Sequence, residues 1–116
     1  MANTPRTGDR ILILKPHWMQ LILRGDKTME IRNRKLKSGL YFLGSKGKIY
    51  AEAELGEAIK IITSKQWRSL RLKHCVENNE FVYKNTYGIP LTRVIQFENT
   101  IPYSHKRGAI GIVKYR

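Results

Sequence analysis

The sequence predicts one α+β domain in which a sheet of about six strands curls into a barrel-like form, accompanied by two to three helices. Three observations support this class. Short apolar or alternating segments recur along the chain, both clear helical segments lie in its first two thirds, and Gly56 interrupts one of the longest strands. A glycine in such a place predicts the bend with which small barrels turn corners. At 116 residues, the chain fits a single domain.

The first elements are a strand and a helix in close succession. Residues 11–14 form an apolar run that ends before Pro16, as expected of a buried strand. Pro16 suits the first turn of a helix, where its missing N–H costs nothing. Gly25 ends that helix, whose apolar stripe comprises Trp18, Leu21 and Ile22.

Strands dominate the middle of the chain. Residues 28–32 alternate between apolar and polar side chains, which predicts a strand with two distinct faces. Residues 40–43 and 49–55 are predicted to pair as a hairpin, and after Gly56 the apolar pattern resumes over 58–62.

The second half begins with a predicted helix that runs to about His74 and is capped by Thr63 or Ser64. Its inward-facing side chains are expected to be Trp67, Leu70 and Cys75. The remaining predictions are a loop over 76–90 with a short strand near 81–83, a strand over 94–98, and a final strand within 108–115.

Charge is the least ordinary property of the chain. Twenty-two Lys and Arg against 9 Asp and Glu give a net charge of +13. An excess of this size repels itself in the folded state and is usually kept because a polyanion neutralises it. Nucleic acid is the favoured partner, with an anionic lipid surface or a solubility surplus as the alternatives.

Several protein classes are excluded by composition. The single cysteine, Cys75, rules out an intrachain disulfide framework and suits a reducing compartment. We expect no cofactor and no metal site, because His17, His74 and His105 are widely scattered. The N-terminus has no apolar signal region, and no stretch could span a membrane. We therefore expect a cytoplasmic protein without a membrane partner, with a flexible tail over 1–9 and a domain over 10–116.

One segment gathers polar side chains that could carry chemistry. Lys27 lies in the turn after the first helix, and Glu30 and Arg32 share one face of the next strand. At roughly 3.3 Å per residue, the three groups fall within about 10 Å of each other. The alternative is a solvated strand face with a surface ion pair of little energetic value.

These residues form the pattern Gly25-x-Lys27-x-x-Glu30-x-Arg32, which follows a strand and a helix and precedes a Ser45-Lys46-Gly47 turn. This order resembles the ASCH domain, a branch of the PUA-like β-barrel superfamily. The agreement extends over residues 10–115 and includes the segments 90–94 and 101–103. The resemblance implies a small PUA-like β-barrel with a cleft beside the first helix and the motif strand. It also implies that the protein binds RNA and holds a base or nucleotide in that cleft.

The resemblance leaves an enzymatic alternative open. Some ASCH proteins are hydrolases, including an amidohydrolase branch that deacylates N4-acetylcytidine through the motif lysine, a threonine and a later carboxylate. Others are nucleases. Lys27 matches the lysine, but Glu30 stands at the threonine position, so Lys27 and Glu30 are candidate catalytic residues only if the chain is an enzyme. The later carboxylate would be Glu77 or Glu80.

The expected ligand contacts combine cations for phosphates, a carboxylate for an exocyclic amine and aromatic lids for a base. Trp18 serves equally well as part of the core, and an acidic protein is a third possible partner for the basic surface. Glu52 and Glu54 share a strand face and are a weaker acid–base candidate. The predicted RNA-binding or ligand-binding set is Lys15, Trp18, Lys27, Glu30, Arg32, Arg34, Lys35, Lys46 and Tyr103.

Overall fold

A computed structural model describes residues 3–81, 83–104 and 111–116. These residues form seven strands and three helices in the following order: β1 (Arg10–Ile13), α1 (Pro16–Leu23), β2 (Met29–Arg32), β3 (Gly39–Ser45), β4 (Lys48–Leu55), β5 (Ile59–Ile61), α2 (Ser64–Ser69), α3 (Arg71–His74), β6 (Thr86–Pro102) and β7 (Ile112–Lys114). No helix in this part of the chain has the length and apolar character needed to cross a bilayer.

The strands form one curled sheet with the order β2-β6-β4-β3-β1-β7, and β5 pairs with β6 beside this path. β1 runs parallel to β3, and the other pairings are antiparallel. Strand β6 is 17 residues long and pairs with β2, β4 and β5, so it bends around the barrel. Register shifts in the β4–β6 ladder supply the extra twist that such bending needs. The predicted α+β barrel-like class is confirmed.

The corner predicted at Gly56 is present. β4 ends at Leu55 and β5 begins at Ile59, and both strands pair with the same strand β6. The Gly56 N–H donates to the carbonyl of Pro90. A Cβ at this position would lie 3.2 Å from the Thr92 methyl group, so the Thr92 side chain would have to shift to admit a residue larger than glycine.

Three apolar clusters lie on different surfaces of the sheet. The largest lies between α1 and the sheet and includes Met19, Ile22 and Leu43. A second lies on the opposite face of β1 and β3, because Phe42 and Leu43 are neighbours on one strand and point to opposite faces. The third joins β2 to α2, with Met29, Ile31, Ile61 and Trp67 as its buried members.

The helix boundaries agree with the sequence prediction apart from one break, but α1 buries Met19 and Ile22, and Trp18 and Leu21 of the predicted stripe are only half-buried. Pro16 begins α1, and Gly25 follows it with a positive φ of 84°. Thr63 caps α2 by accepting a hydrogen bond from the Gln66 N–H. The helix predicted to continue to His74 is divided at Leu70 into α2 and α3.

The inward face of this helical pair differs in part from the prediction. Trp67 is fully buried, but Leu70 and Cys75 are only half-buried. Cys75 ends α3 in the left-handed conformation, with φ at 62°. His74 takes the buried position instead and stacks on Trp67 with ring centroids 4.0 Å apart.

Four predictions for the late loop and the chain ends have different outcomes. The short strand near 81–83 is wrong in so far as Phe81 and Tyr83 lie outside the strands, and the predicted strand 94–98 is a part of β6. The last strand is confirmed over β7, while 108–110 lie outside the described residues. Of the expected tail, Asn3 donates two hydrogen bonds to Glu52. The flexibility of that tail stays a prediction.

Candidate functional site

The turn between α1 and β2 determines where Lys27 lies. The N–H groups of Asp26 and Lys27 both donate to the carbonyl of Leu21, which folds the chain back under α1. β2 then alternates: Met29 and Ile31 pack toward α2, and Glu30 takes the opposite face. That face is not open to water, because Glu30 is 5% exposed.

Lys27, Glu30 and Arg32 meet in one ion cluster. Lys27 Nζ lies 3.5 Å from Glu30 Oε1, and Arg32 Nη2 lies 2.7 Å from Glu30 Oε2. Arg32 Nε also donates to Glu30 Oε2 at 2.9 Å. The structure thus brings together the three groups that the sequence motif singled out.

Two backbone carbonyls complete this cluster. Lys27 Nζ donates to the carbonyl of His74 at 2.6 Å, and Arg32 Nη2 donates to the carbonyl of Ile13 at 2.8 Å. β2 lies at one end of the sheet order and β1 near the other. The bond from Arg32 to Ile13 therefore joins the two ends of the curled sheet.

Burial distinguishes this cluster from a surface ion pair. The side chains of Lys27, Glu30 and Arg32 are 1%, 7% and 18% exposed. The alternative of a solvated strand face is therefore wrong, because the carboxylate and the ammonium group are both withdrawn from water. Of the three groups, the Arg32 guanidinium is the one with the most contact with solvent.

Trp18 links the ion cluster to the surface. Lys27 Nζ lies 4.6 Å from the centre of the Trp18 ring, a cation–π contact. Trp18 is half-buried and also packs against the main apolar cluster. The residue thus belongs to the core and lies against the motif lysine, and its role as a lid over a bound base stays a prediction.

Burial governs the protonation of the two bases in this region. Loss of hydration lowers the pKa of Lys27, and the Glu30 carboxylate opposes that shift. Burial also lowers the pKa of His74. The Val76 N–H donates to His74 Nδ1, so the proton of the neutral ring is on Nε2, 2.9 Å from the carbonyl of Trp67.

Exposed cations surround the point where Arg32 reaches β1. Ile13 accepts from Arg32 and is in register with Gly44 of β3. Lys15 follows Ile13 by two residues, and Lys46 follows Gly44 by two residues. At roughly 3.3 Å per residue, each lysine backbone therefore lies within about 7 Å of the Ile13–Gly44 pair. The loop after β2 begins next to Arg32. The exposed cations of this region, here called the basic rim, are Lys15, Arg34, Lys35 and Lys46.

Comparison with known proteins identifies the fold. No protein-family model matches the chain, and no curated protein matches it. Among solved structures, a serine-to-alanine mutant of ZmASCH from Zymomonas mobilis matches with a TM-score of 0.74 at 13% identity, over 97% of this chain and 92% of that one. The chain has the ASCH-domain fold. Two further structures from the same organism agree. A tyrosine-to-phenylalanine mutant of ZmASCH has a TM-score of 0.67 at 13% identity over 94% and 91% of the two chains. The ASCH protein itself has a TM-score of 0.60 at 17% identity over 74% and 67%.

Tyr103, one of the predicted ligand contacts, lies apart from the others. Tyr103 packs with Ile11, Phe42 and Ile49, on the face of β1 and β3 opposite to α1. The structure therefore does not bring Tyr103 together with Trp18 and Lys27, and Trp18 is the aromatic residue that lies at the ion cluster.

The other carboxylates considered from the sequence have different neighbours. Glu52 is buried beneath Asn3 and lies 4.0 Å from Arg93, whereas Glu54 on the same face is exposed. Glu80 bonds to the Ser64 hydroxyl and lies 4.0 Å from Arg68, and Glu77 is exposed. Their contacts are thus with groups other than Lys27.

Sequence reasoning missed two parts of the ASCH-fold site. The carbonyls of Ile13 and His74 have no sequence signal, because every residue has the same carbonyl group. The stack of Trp67 on His74 had a signal, since residues seven apart share one face of a helix. Within the described residues, no group of three or more His, Cys, Asp or Glu side chains could hold a metal ion.

Proposed function

We propose that this protein binds single-stranded RNA and holds a base or nucleotide beside Arg32, above the Lys27–Glu30–Arg32 cluster. The observation that carries the proposal is the position of the basic rim. Its four exposed cations lie two or three residues along the chain from Arg32 or from the Ile13–Gly44 pair that Arg32 reaches. A net charge of +13 gives the whole molecule the attraction for polyanions that such a site needs.

Arg32 is suited to contact a nucleotide because its position is already fixed. Nε and Nη2 are bonded to Glu30 and Ile13, while Nη1 has no partner in the described part of the chain. The Nη1 amino group can therefore donate to a base carbonyl or a phosphate oxygen. A side chain held in this way loses little freedom on binding, which favours affinity.

The basic rim supplies the contacts to the phosphate chain. Lys15, Arg34, Lys35 and Lys46 form no ion pair with a described residue, so no carboxylate competes with phosphate for them. Trp18 is half-buried beside the cluster and offers an aromatic edge to an unstacked base.

The free thiol of Cys75 agrees with a cytoplasmic location for this binding.

Salt dependence tests this proposal directly. If the four rim cations each neutralise a phosphate, log K for a single-stranded RNA should fall against log salt with a slope of about −3. The double variant Arg34→Gln/Lys35→Gln should reduce that slope by about 1.4. Lys114→Gln/Arg116→Gln is the matched control, because it also removes two charges, both residues are exposed, and Lys114 is in register with Arg10 at the other end of β1. Equal effects of the two changes would contradict the proposed surface.

Hydrolysis of a modified nucleoside is the second candidate function, and the buried Lys27 favours it. A lowered pKa increases the fraction of Lys27 that is present as the neutral amine, the form that can accept a proton. Glu30 occupies the place of a threonine nucleophile and is bonded to Arg32, so water would have to attack the acyl carbon.

The test of this second function is incubation of the protein with N4-acetylcytidine and, separately, with labelled RNA. Turnover that is lost in Lys27→Met supports the enzyme, and cleavage of the RNA supports a ribonuclease. RNA retention without turnover supports the binding module. RNA-independent capture of an acidic protein would favour the third partner class and contradict both functions.

A further inference from the structure

A cavity of about 250 Å³ lies on the other side of α1 from Trp18. The helix contributes Pro16 and the residues three, four and seven positions after it, which lie on one face. β3 contributes its last residue, Ser45, the turn after it contributes Lys46, and β4 contributes Tyr50. This cavity is thus separated from the Lys27–Glu30–Arg32 cluster by the thickness of the helix.

Ser45 gives the cavity a polar group that lacks a partner. Its side chain is buried, with 3% of the residue exposed, and its hydroxyl has no hydrogen-bond partner among the described residues. Leaving such a group unsatisfied costs about 1–3 kcal/mol. Because Ser45 lines the cavity, its unsatisfied hydroxyl is the group there that gains most from a polar atom of whatever enters.

The other walls favour a flat, mostly apolar molecule with an anionic substituent. Met19, Leu23 and the Tyr50 ring provide apolar surface, and the Gln20 amide is both a donor and an acceptor. Lys46 is exposed at the edge and can pair with an anion. The volume is below the range of about 300–1,000 Å³ that is usual for drug-sized ligands, so a single heterocycle is the appropriate size. A nucleobase with its phosphate combines these properties.

The cavity adjoins the basic rim, and this position indicates which nucleotide would occupy it. Lys46 belongs both to the rim and to the cavity wall, and Pro16 in the wall follows Lys15 of the rim directly. An RNA strand that passes Arg32 and follows the rim therefore reaches the mouth of the cavity.

We propose that this cavity is a second nucleobase site, which receives a neighbouring nucleotide of the RNA strand bound at Arg32. The proposal rests on the proposed RNA binding and extends it. Because the Ser45 hydroxyl and the Gln20 amide each donate and accept, the site should accept more than one kind of base.

Mononucleotides test the cavity separately from the rim. Amide resonances of the ¹⁵N-labelled full chain are followed during titration with CMP and AMP, and with ribose 5-phosphate, which has the phosphate but no base. The nucleotides should shift the resonances of Gln20, Ser45 and Tyr50, and ribose 5-phosphate should leave Tyr50 unchanged. Equal shifts with all three compounds, or no shift at these residues, would overturn the base site.

Two variants connect the cavity to RNA binding. Ser45→Ala should weaken binding of a short single-stranded RNA about threefold to tenfold, the range expected for one hydrogen bond. Its thermal stability should not decrease, because the hydroxyl has no partner to lose. Gln20→Trp, at an exposed position, should fill the cavity and weaken binding at least as much. Ser69→Ala on α2 is the control.

The two proposals fail in different ways. If the wild-type protein binds RNA with the expected salt slope but the cavity variants bind equally well, the base site is wrong and the proposed function stands. If the wild-type protein shows no salt-dependent RNA binding, the proposed function fails, and with it the assignment of this cavity to an RNA strand.

Discussion

Replacing Glu30 by glutamine keeps the shape of the side chain but removes the charge that balances Lys27 and Arg32. Arg32 can regain water through its exposed edge, whereas the Lys27 side chain is 1% exposed and cannot. The loss of stability therefore comes mainly from an unpaired ammonium group beside the His74 carbonyl. Breaking a buried ion pair in this way costs about 3–5 kcal/mol.

Deprotonation of Lys27 sets an upper limit on that cost. The unfolded lysine has a pKa of 10.5, so releasing its proton at pH 7 costs about 5 kcal/mol, at about 1.4 kcal/mol per pH unit. The folded variant cannot lose more than this through Lys27, because above that cost the amine becomes neutral. Glu30→Gln should thus lower the free energy of unfolding by about 3–5 kcal/mol at pH 7.

The assay is urea denaturation followed by far-UV circular dichroism. The midpoint should fall with an unchanged m-value. Glu54→Gln, at an exposed position of β4, is the control and should change stability by no more than about 0.5 kcal/mol. The double variant Lys27→Met/Glu30→Gln should recover part of the loss, because it leaves no unpaired buried ammonium. A Glu30→Gln variant as stable as the control would refute the balancing role of this carboxylate.

Three further predictions follow from the same structure. The pKa of His74 is lowered in the folded protein, so the unfolded chain binds a proton first as the pH falls below 6.5. The free energy of unfolding should therefore decline by up to about 1.4 kcal/mol per pH unit. His74→Phe should remove this decline, as measured by urea midpoints between pH 7 and 5. Lys27 has a lowered pKa as well, so between that value and 10.5 the unfolded state holds the extra proton and stability should rise with pH; a Lys27→Met variant with the same alkaline rise would contradict this. Gly44→Ala should cost about 1–3 kcal/mol by thermal denaturation, because its Cβ would lie 2.7 Å from Ile11 Cγ2 and 3.0 Å from the Tyr103 ring.

The sequence predicted those elements whose signals are local. Pro16 and Gly25 mark both ends of α1, Thr63 caps α2, and Gly56 marks the corner between β4 and β5. Alternation over β2 correctly separated Met29 from Glu30. The predicted α+β fold class and the resemblance to the ASCH domain agree with the observed fold, because both depend on the order of these elements.

Burial of the ion cluster could not be predicted from the same patterns. Alternation shows that Glu30 and Met29 lie on opposite faces, but whether the polar face is buried depends on the turn at Leu21 and on the curl of the sheet. The length of β6 was missed because its segment around Gly88 and Pro90 has the residues of a turn, although tertiary pairing with β2 makes it a strand. Tyr103 was assigned to a cleft when long-range packing puts it in the second apolar cluster.

The most direct test of the account is the Arg32 side chain itself, observed by NMR while single-stranded RNA is added. The Nε–H group is bonded to Glu30, which slows its exchange with water and makes its resonance suitable for observation. If Arg32 and the basic rim hold the RNA, this resonance should shift together with the backbone amides of Arg34, Lys35 and Lys46. The account would be contradicted if the Arg32 Nε–H resonance stayed unchanged at saturating RNA and the shifts were confined to the cations of α2 and α3. These cations are Lys65, Arg68, Arg71 and Lys73.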